Sequence, residues 1–273
     1  MGSLPAYDAT TAGSWSLEDK VVLITGSGRG LGAGIAKELA SRGAAVCVNY
    51  ARSAKAALGV VQDIESQGGR AVAIQADVSK VPEITRMFEE ALAHFGKIDI
   101  VMNNSGMESF AKEEDVTEEM YDAVFGLNTR AQFFVAQHAL KHLTNGGRII
   151  FMSSIAATMS GVPNHALYAG SKAAVEGFVR SFSADAGHKG ITVNGIAPGG
   201  IKTDMFAANA WHYAPGADPS WSLDDIEAGI AKLCPLKRIA VPKDISRVIA
   251  FLAHQDSEWI NGQIIKLSGG SVA

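Results

Sequence analysis

The chain has 273 residues, 47% of them hydrophobic and 19% charged, with a formal net charge of −4. Such a composition can bury a sizeable core, and its acidic balance argues against a nucleic-acid partner, which would favour a clustered basic face. Cys47 and Cys234 lie far apart without C-x-x-C company, which argues against a disulfide framework or a zinc site. No apolar run approaches the roughly 20 residues needed to cross a bilayer, and no charged-then-apolar leader pattern is read. Met1-Gly2 opens like a myristoylation signal, but Ala6 stands where Ser or Thr is expected. The expectation is a soluble cytoplasmic protein with no membrane partner.

Residues 1–17, rich in Ser, Thr, Ala and Gly, read as a flexible N-terminal arm, and residues 18–273 as one domain. From Lys20 onward, β-branched runs alternate with helical patterns. The strand candidates are 21–25, 44–50, 70–75, 98–103, 148–153, 191–196 and 263–267. Continuous apolar runs of this kind suit a parallel sheet covered on both faces. The helix candidates are 31–42, 55–67, 81–95, 117–143, 169–188 and 242–254. The alternation predicts a single doubly wound α/β domain. The stretch 203–233 interrupts it with Trp211, His212, Tyr213, Pro215, Gly216, Pro219 and Trp221, and is a candidate substrate lid.

Directly after the first strand candidate comes TGSGRGLG, residues 25–32. Gly26, Gly30 and Gly32 allow a tight turn and let backbone N–H groups approach a pyrophosphate at a helix N-terminus. The spacing is T-G-x-x-x-G-x-G, not G-x-G-x-x-G. An NAD-binding sheet usually ends its second strand on an acid that holds the ribose hydroxyls. Here the end reads Asn49-Tyr50-Ala51-Arg52-Ser53, and Arg29 sits inside the glycine turn. A guanidinium with short polar neighbours suits a 2′-phosphate, so NADPH is expected over NADH.

Tyr168 and Lys172 stand four apart in a predicted helix and share a face. A free tyrosine, with a pKa of about 10, is a poor acid–base catalyst at neutrality, and a nearby ammonium would lower it. Taken alone, Y-x-x-x-K also describes an ordinary surface pair. Ser153 and Ser154 close the fifth strand, where a parallel sheet presents ligand-facing groups or simply caps its end. His138 and His142, four apart, lack the glutamate of H-E-x-x-H and a third ligand, so no metal site is expected. Asp224, Asp225 and Glu227 read as a helix N-terminus.

Together these residues resemble the short-chain dehydrogenase/reductase family. The ordered set is TGSGRGLG, Asp77 in ADV, NNSG (103–106), Asn128 in LNT, Ser154, Tyr168-x-x-x-Lys172 and PGG (198–200). The resemblance covers about residues 18–270. It implies a Rossmann-type sheet of seven strands and a homotetramer built on the helices that precede and carry the catalytic pair. It implies Tyr168 as acid–base, Lys172 as its electrostatic partner and ribose ligand, Ser154 as oxygen-orienting, and Asn128 as anchor of a proton-relay water. Leu31 would join the glycine turn at the cofactor. Asp77 and Val78 would line the adenine, and Asn104, Ser105 and Gly106 the ribose side. Pro198, Gly199, Gly200, Ile201 and Thr203, with Met205, would line the nicotinamide and phosphates. NNSG departs from the family's usual NNAG by one hydroxyl.

SGMESF (105–110), residues 153–178, IAPGGIKTDMF (196–206), WHYAPG (211–216) and residues 257–270 resemble more narrowly the fungal polyhydroxynaphthalene reductases. Related anthrol reductases share much of this pattern. The resemblance implies a flat aromatic polyketide substrate stacked on Tyr213 and lined by Ile155, Gly200, Met205 and Phe206. It also implies a C-terminal tail, Ser271-Val272-Ala273, that reaches a neighbouring subunit. The expected reaction is NADPH-dependent reduction of a polyhydroxynaphthalene in its keto tautomer, of the tetrahydroxynaphthalene-to-scytalone type, in melanin-type secondary metabolism. The rivals are an anthrol reductase of another polyketide pathway and a non-catalytic NADPH-binding regulatory protein.

Overall fold

The computed structural model describes residues 15–272. The apolar runs form seven strands: β1 (Val21–Ile24), β2 (Ala45–Tyr50), β3 (Arg70–Gln75), β4 (Ile100–Asn103), β5 (Arg148–Met152), β6 (Thr192–Pro198) and β7 (Ile264–Leu267). They pair in one sheet of order β3-β2-β1-β4-β5-β6-β7, parallel throughout. Successive side chains of a strand point to opposite faces, and β1 divides accordingly. Val21 and Leu23 join a core on one face with Ile84, Phe88, Val135 and Val175. Val22 and Ile24 join a second core with Ile35, Leu39, Val61 and Ile249. Helices α3 (Val81–Phe95), α5 (Ala131–His142) and α6 (Ala166–Ala186) cover the first face, while α1 (Gly30–Ala40), α2 (Ala54–Ser66) and α9 (Pro242–Ala253) cover the second. The doubly wound α/β architecture expected from the alternation is the one observed.

Chain order reverses between β1 and β4, which are adjacent in the sheet. At such a switch point the loops leave in opposite directions and open a crevice at the carboxyl ends of the strands. Asn104 stitches the two ends together. Its N–H donates to Thr25 Oγ1 at 2.9 Å, and its Nδ2 donates to the Thr25 and Gly26 carbonyls at 3.0 Å each.

Two elements differ from the expectation. The helix predicted over 117–143 is divided: α4 (Glu118–Phe125) and α5 flank a π-helical turn, Gly126–Arg130. Within this wider turn Ala131 N–H reaches back to the Gly126 carbonyl, and Gln132 Nε2 donates to the Asn128 carbonyl at 2.7 Å. The interruption of 203–233 resolves into α7 (Asp204–Asn209), a 3₁₀ turn (Ala210–Tyr213) and α8 (Leu223–Leu233). These share a small core of their own, Phe206, Ala210, Ala214, Ile226 and Ile239, and Lys202 forms an ion pair with Glu227 across it.

Of the arm expected over 1–17, residues 1–14 lie outside the described residues. Leu17 is only 1% exposed, and the Trp15 ring stands 5.3 Å from that of Phe251. These residues therefore belong to the packed chain. At the other end, Ala273 lies outside the described residues, and Val272 N donates back to Ser268 Oγ at 3.2 Å. Among the described residues no helix is long and apolar enough to cross a membrane.

Candidate active site

The glycine turn leaves β1 and enters α1 as a cradle without side chains. Gly26 and Gly30 adopt φ of +62° and +56°, the region that favours glycine. A Cβ on Gly32 would sit 2.5 Å from the Gly26 carbonyl oxygen, so no larger residue fits. No side chain caps the amino end of α1, and its first turn holds no acid. Those free N–H groups and the open crevice fit a dinucleotide pyrophosphate. Thr203 closes the other side: its Cβ is 4.0 Å from where a Gly30 Cβ would stand. Arg29, Arg52 and Ser53 are exposed beside the end of β2, and no carboxylate follows Tyr50. This fits a 2′-phosphate better than a free ribose.

The side-chain amides of Asn49 and Asn104 are bonded to the backbone around the glycine turn. Asn49 is buried, accepts from Gly26 N–H at 3.0 Å and donates to the Ala76 carbonyl at 3.0 Å. Both amides hold the glycine turn in shape. Ser105, the departure from NNAG, also stands behind the turn. Its N–H donates to Thr25 Oγ1 at 3.0 Å, and a Cβ on Gly26 would meet its Oγ at 2.8 Å. Asp77 accepts from Ser79 Oγ at 2.7 Å at the rim, and Val78 is buried beneath. Pro198, Gly199, Gly200 and Ile201 run past the end of β6, where Gly199 N–H pairs with the Leu267 carbonyl at 3.0 Å.

Tyr168 and Lys172 lie on one buried face of α6. The Ser154 hydroxyl lies near enough to the Tyr168 phenol to act on its pKa, and it accepts from Ala156 N–H at 3.2 Å. Lys172 Nζ donates to the Met152 carbonyl at 3.0 Å and stands 5.7 Å from the Tyr168 ring centroid. A Cβ on Gly106 would meet Nζ at 3.3 Å, so this glycine keeps the ammonium accessible from the crevice. The sequence predicts that the ammonium lowers the phenol's pKa. In this site burial and the Glu108 charge dominate instead and raise it, with only the nearby Ser154 hydroxyl opposing. Burial pulls the Lys172 ammonium down to about 8, against the holding effect of Glu108. Tyr168 is thus held in its protonated form.

Asn128 sits on the π turn, fully buried. Its Oδ1 accepts from Met107 N–H at 2.8 Å, and its Nδ2 donates to the Met107 carbonyl at 2.9 Å and to Ser171 Oγ at 3.0 Å. Ser171 Oγ in turn donates to the Tyr168 carbonyl at 2.7 Å. These bonds of the Asn128 amide tie the loop after β4 to α6.

The pocket wall is aromatic. The His165 ring lies parallel to Tyr168 at 4.9 Å, Phe110 on His165 at 4.4 Å, and His212 on Phe110 at 3.7 Å. Tyr213 meets Phe110 and His165 edge-on at 5.4 and 5.5 Å. The Tyr213 hydroxyl donates to Glu108 and lies 3.2 Å from His165 Nε2. Ile155 borders Gly199, and Met205 is exposed at the mouth. The Phe206 ring packs against Gly200 and Ile239 within the small core of residues 206–239. Glu108, Phe110, His165 and Ser171 were not singled out from the sequence. The one available signal was a lone acid in the loop that follows β4, at the ligand-binding end of the sheet.

His138 is buried and stacks on His142 at 6.0 Å beside Phe88. Among the described residues no group of three or more His, Cys, Asp or Glu is placed to hold a metal. Cys47 and Cys234 are both buried and unpaired with each other.

A glycine cradle at the switch point, facing a buried serine–tyrosine–lysine set, defines a nicotinamide-dependent oxidoreductase. The chain belongs to the short-chain dehydrogenase/reductase family: a family model described as enoyl-(acyl carrier protein) reductase matches residues 26–271. The chain is 68% identical over 257 residues to the hydroxynaphthalene reductase-like protein Arp2 of Metarhizium acridum, covering 94% of this chain and 96% of that one. It is 57% identical over 253 residues to the tetrahydroxynaphthalene reductase PfmaG of Pestalotiopsis fici, covering 93% and 91%. Among solved structures it is similar to the landomycin C-6 ketoreductase LanV with bound NADP and rabelomycin. That match has a TM-score of 0.80 and 34% identity, covering 94% of this chain and 97% of that one.

Proposed function

We propose that this protein is an NADPH-dependent reductase of polyhydroxynaphthalenes in their keto tautomer, converting tetrahydroxynaphthalene to a scytalone-type hydroxyketone in melanin-type polyketide metabolism. The observation that carries this reading is the buried Tyr168–Lys172 pair, with Ser154 beside the phenol, against a group of stacked flat rings, in a chain so similar to hydroxynaphthalene reductases.

The backbone of Gly26, Gly30, Leu31 and Gly32 would hold the pyrophosphate, and Arg29, Tyr50 and Ser53, joined by Arg52, the 2′-phosphate. Asp77 and Val78 would border the adenine, Ser105 and Gly106 the ribose, and Pro198, Gly199, Gly200, Ile201, Thr203 and Met205 the nicotinamide half. When bound, NADPH supplies the hydride that reaches the carbonyl carbon. Ser154 and Tyr168 hold the carbonyl oxygen, and Tyr168 gives it a proton as negative charge develops there. Lys172 stabilises the resulting phenolate from within the same buried face. Asn128 positions this set through Ser171 and Met107, and Tyr213 and Ile155 bound the ring. Residues 203–233 serve as the lid, the chain works in the cytoplasm, and it assembles as a homotetramer.

The test is to mix purified protein with NADPH and tetrahydroxynaphthalene and follow NADPH oxidation. Turnover of an anthrol with none of the naphthol would transfer the assignment to the anthrol reductases, a reading that the similarity to LanV with its rabelomycin favours next. Tyr168→Phe should cost at least about a thousandfold in kcat while NADPH still binds. Retained activity would sink the mechanism.

A further inference from the structure

The loop after β4 carries a carboxylate that the reduction does not use. The Glu108 side chain is only 10% exposed, set among Phe110, His165 and Tyr213. It accepts from the Tyr213 hydroxyl, and His165 Nε2 stands 3.6 Å away, beyond hydrogen-bonding distance. A carboxylate offers about four lone-pair positions, and neither a Lys nor an Arg pairs with this one among the described residues. Burying a charge with so few donors is costly unless another donor arrives.

Its position says which donor. A carbonyl held by Ser154 and Tyr168 directs the rest of a flat substrate along the wall of parallel rings. Glu108 is reached from Tyr168 across one imidazole: the His165 ring is 4.9 Å from Tyr168, and its Nε2 faces the carboxylate. The hydroxyl that Glu108 already accepts from belongs to a phenol, the same group that a hydroxylated aromatic substrate carries. Its charge is also felt at Tyr168 and Lys172, as expected of a group on the reaction pocket.

We propose that Glu108 is a specificity-determining residue that accepts a hydrogen bond from a ring hydroxyl of the substrate, alongside the Tyr213 phenol, so that the site selects phenolic aromatic ketones over hydroxyl-free ones. This rests on the reductase function proposed above. The experiment compares kcat/KM with NADPH for tetrahydroxynaphthalene and for 2-tetralone, a two-ring ketone without hydroxyls, in the full chain and its Glu108→Gln and Glu108→Leu variants. The preference for the phenolic substrate should fall about tenfold in the first and about a hundredfold in the second, chiefly through KM, as expected for a hydrogen bond to a charged group. A loss of activity shared equally by both substrates would mean a merely structural role and would overturn the assignment. NADPH fluorescence and thermal melting report folding, and the near-isosteric Gln variant decides alone should the Leu variant not fold. A wild-type protein that reduces neither ketone overturns the reductase reading and this assignment with it. A wild-type protein that reduces both, with variants of unchanged preference, overturns the assignment alone.

Discussion

Tyr168 is held as a neutral phenol by burial and by the Glu108 charge, and reduction needs that neutral form. The proton at stake within a workable pH range belongs instead to Lys172, which burial draws down to about 8. The sign follows from the chemistry of an ammonium. Below about 8 Lys172 is charged and can stabilise the phenolate left by proton transfer; above it the charge is lost. The groups facing this pair are Ser154, Glu108 and His165, and none of them supplies a compensating positive charge as fixed as an ammonium. The expected kcat/KM for reduction is therefore level on the acid side of that value and falls about tenfold per pH unit beyond it. A pH–rate profile that stays level well above that point would remove Lys172 from the electrostatics of the step.

At the scale of elements, the proposed lid has a small core separate from the two that sandwich the sheet. Ile226 on α8 packs with Phe206, Ala210, Ala214 and Ile239 and with neither large core, whereas Ile249 on α9 packs beneath the sheet. Ile→Ala at a buried position costs about 2–5 kcal/mol, but the two losses fall on different cooperative units. Ile226→Ala should loosen the lid, raising KM several-fold with little change in Tm. Ile249→Ala should lower Tm and leave KM near that of the wild type. Equal falls in Tm would show that the lid melts with the domain. This division bears on what the sequence makes legible. The strands and the glycine turn are readable because local pattern alone specifies them, as the apolar runs at 21–24 and 45–50 show. The π turn at Gly126–Arg130 is not, because nothing local distinguishes it from the helices on either side. Asn49, Asn104 and Asn128 were legible as positions, but the partners of their amides were not. Each amide is committed to partners more than twenty residues away in sequence. Glu108 and Tyr213 are 105 residues apart, so their pairing exists only once the lid folds over the loop after β4.

At the scale of the whole molecule, two apolar surfaces lie on different sides of the sheet. On α5 and α6, Phe133 meets Phe134, Phe178 and Phe182 edge-on at 5.3–5.5 Å, and Phe133, Phe134 and Phe178 all remain partly exposed. At the sheet's end, β7 pairs with no further strand among the described residues, and Trp259, just before it, is 97% exposed. An open strand edge and contiguous apolar patches are surfaces that proteins ordinarily cover. Two self-complementary surfaces with different axes generate a tetramer of dihedral symmetry, whereas one alone generates a dimer. The expected state of the full chain in sedimentation is therefore a tetramer. Phe178→Asp places a charge within the α5–α6 surface and should abolish that contact while leaving the β7 edge intact. The product should sediment as a dimer. Dissociation to monomers would mean that the β7 edge holds nothing by itself, and an unchanged tetramer would mean that the α5–α6 face is not where the copies meet.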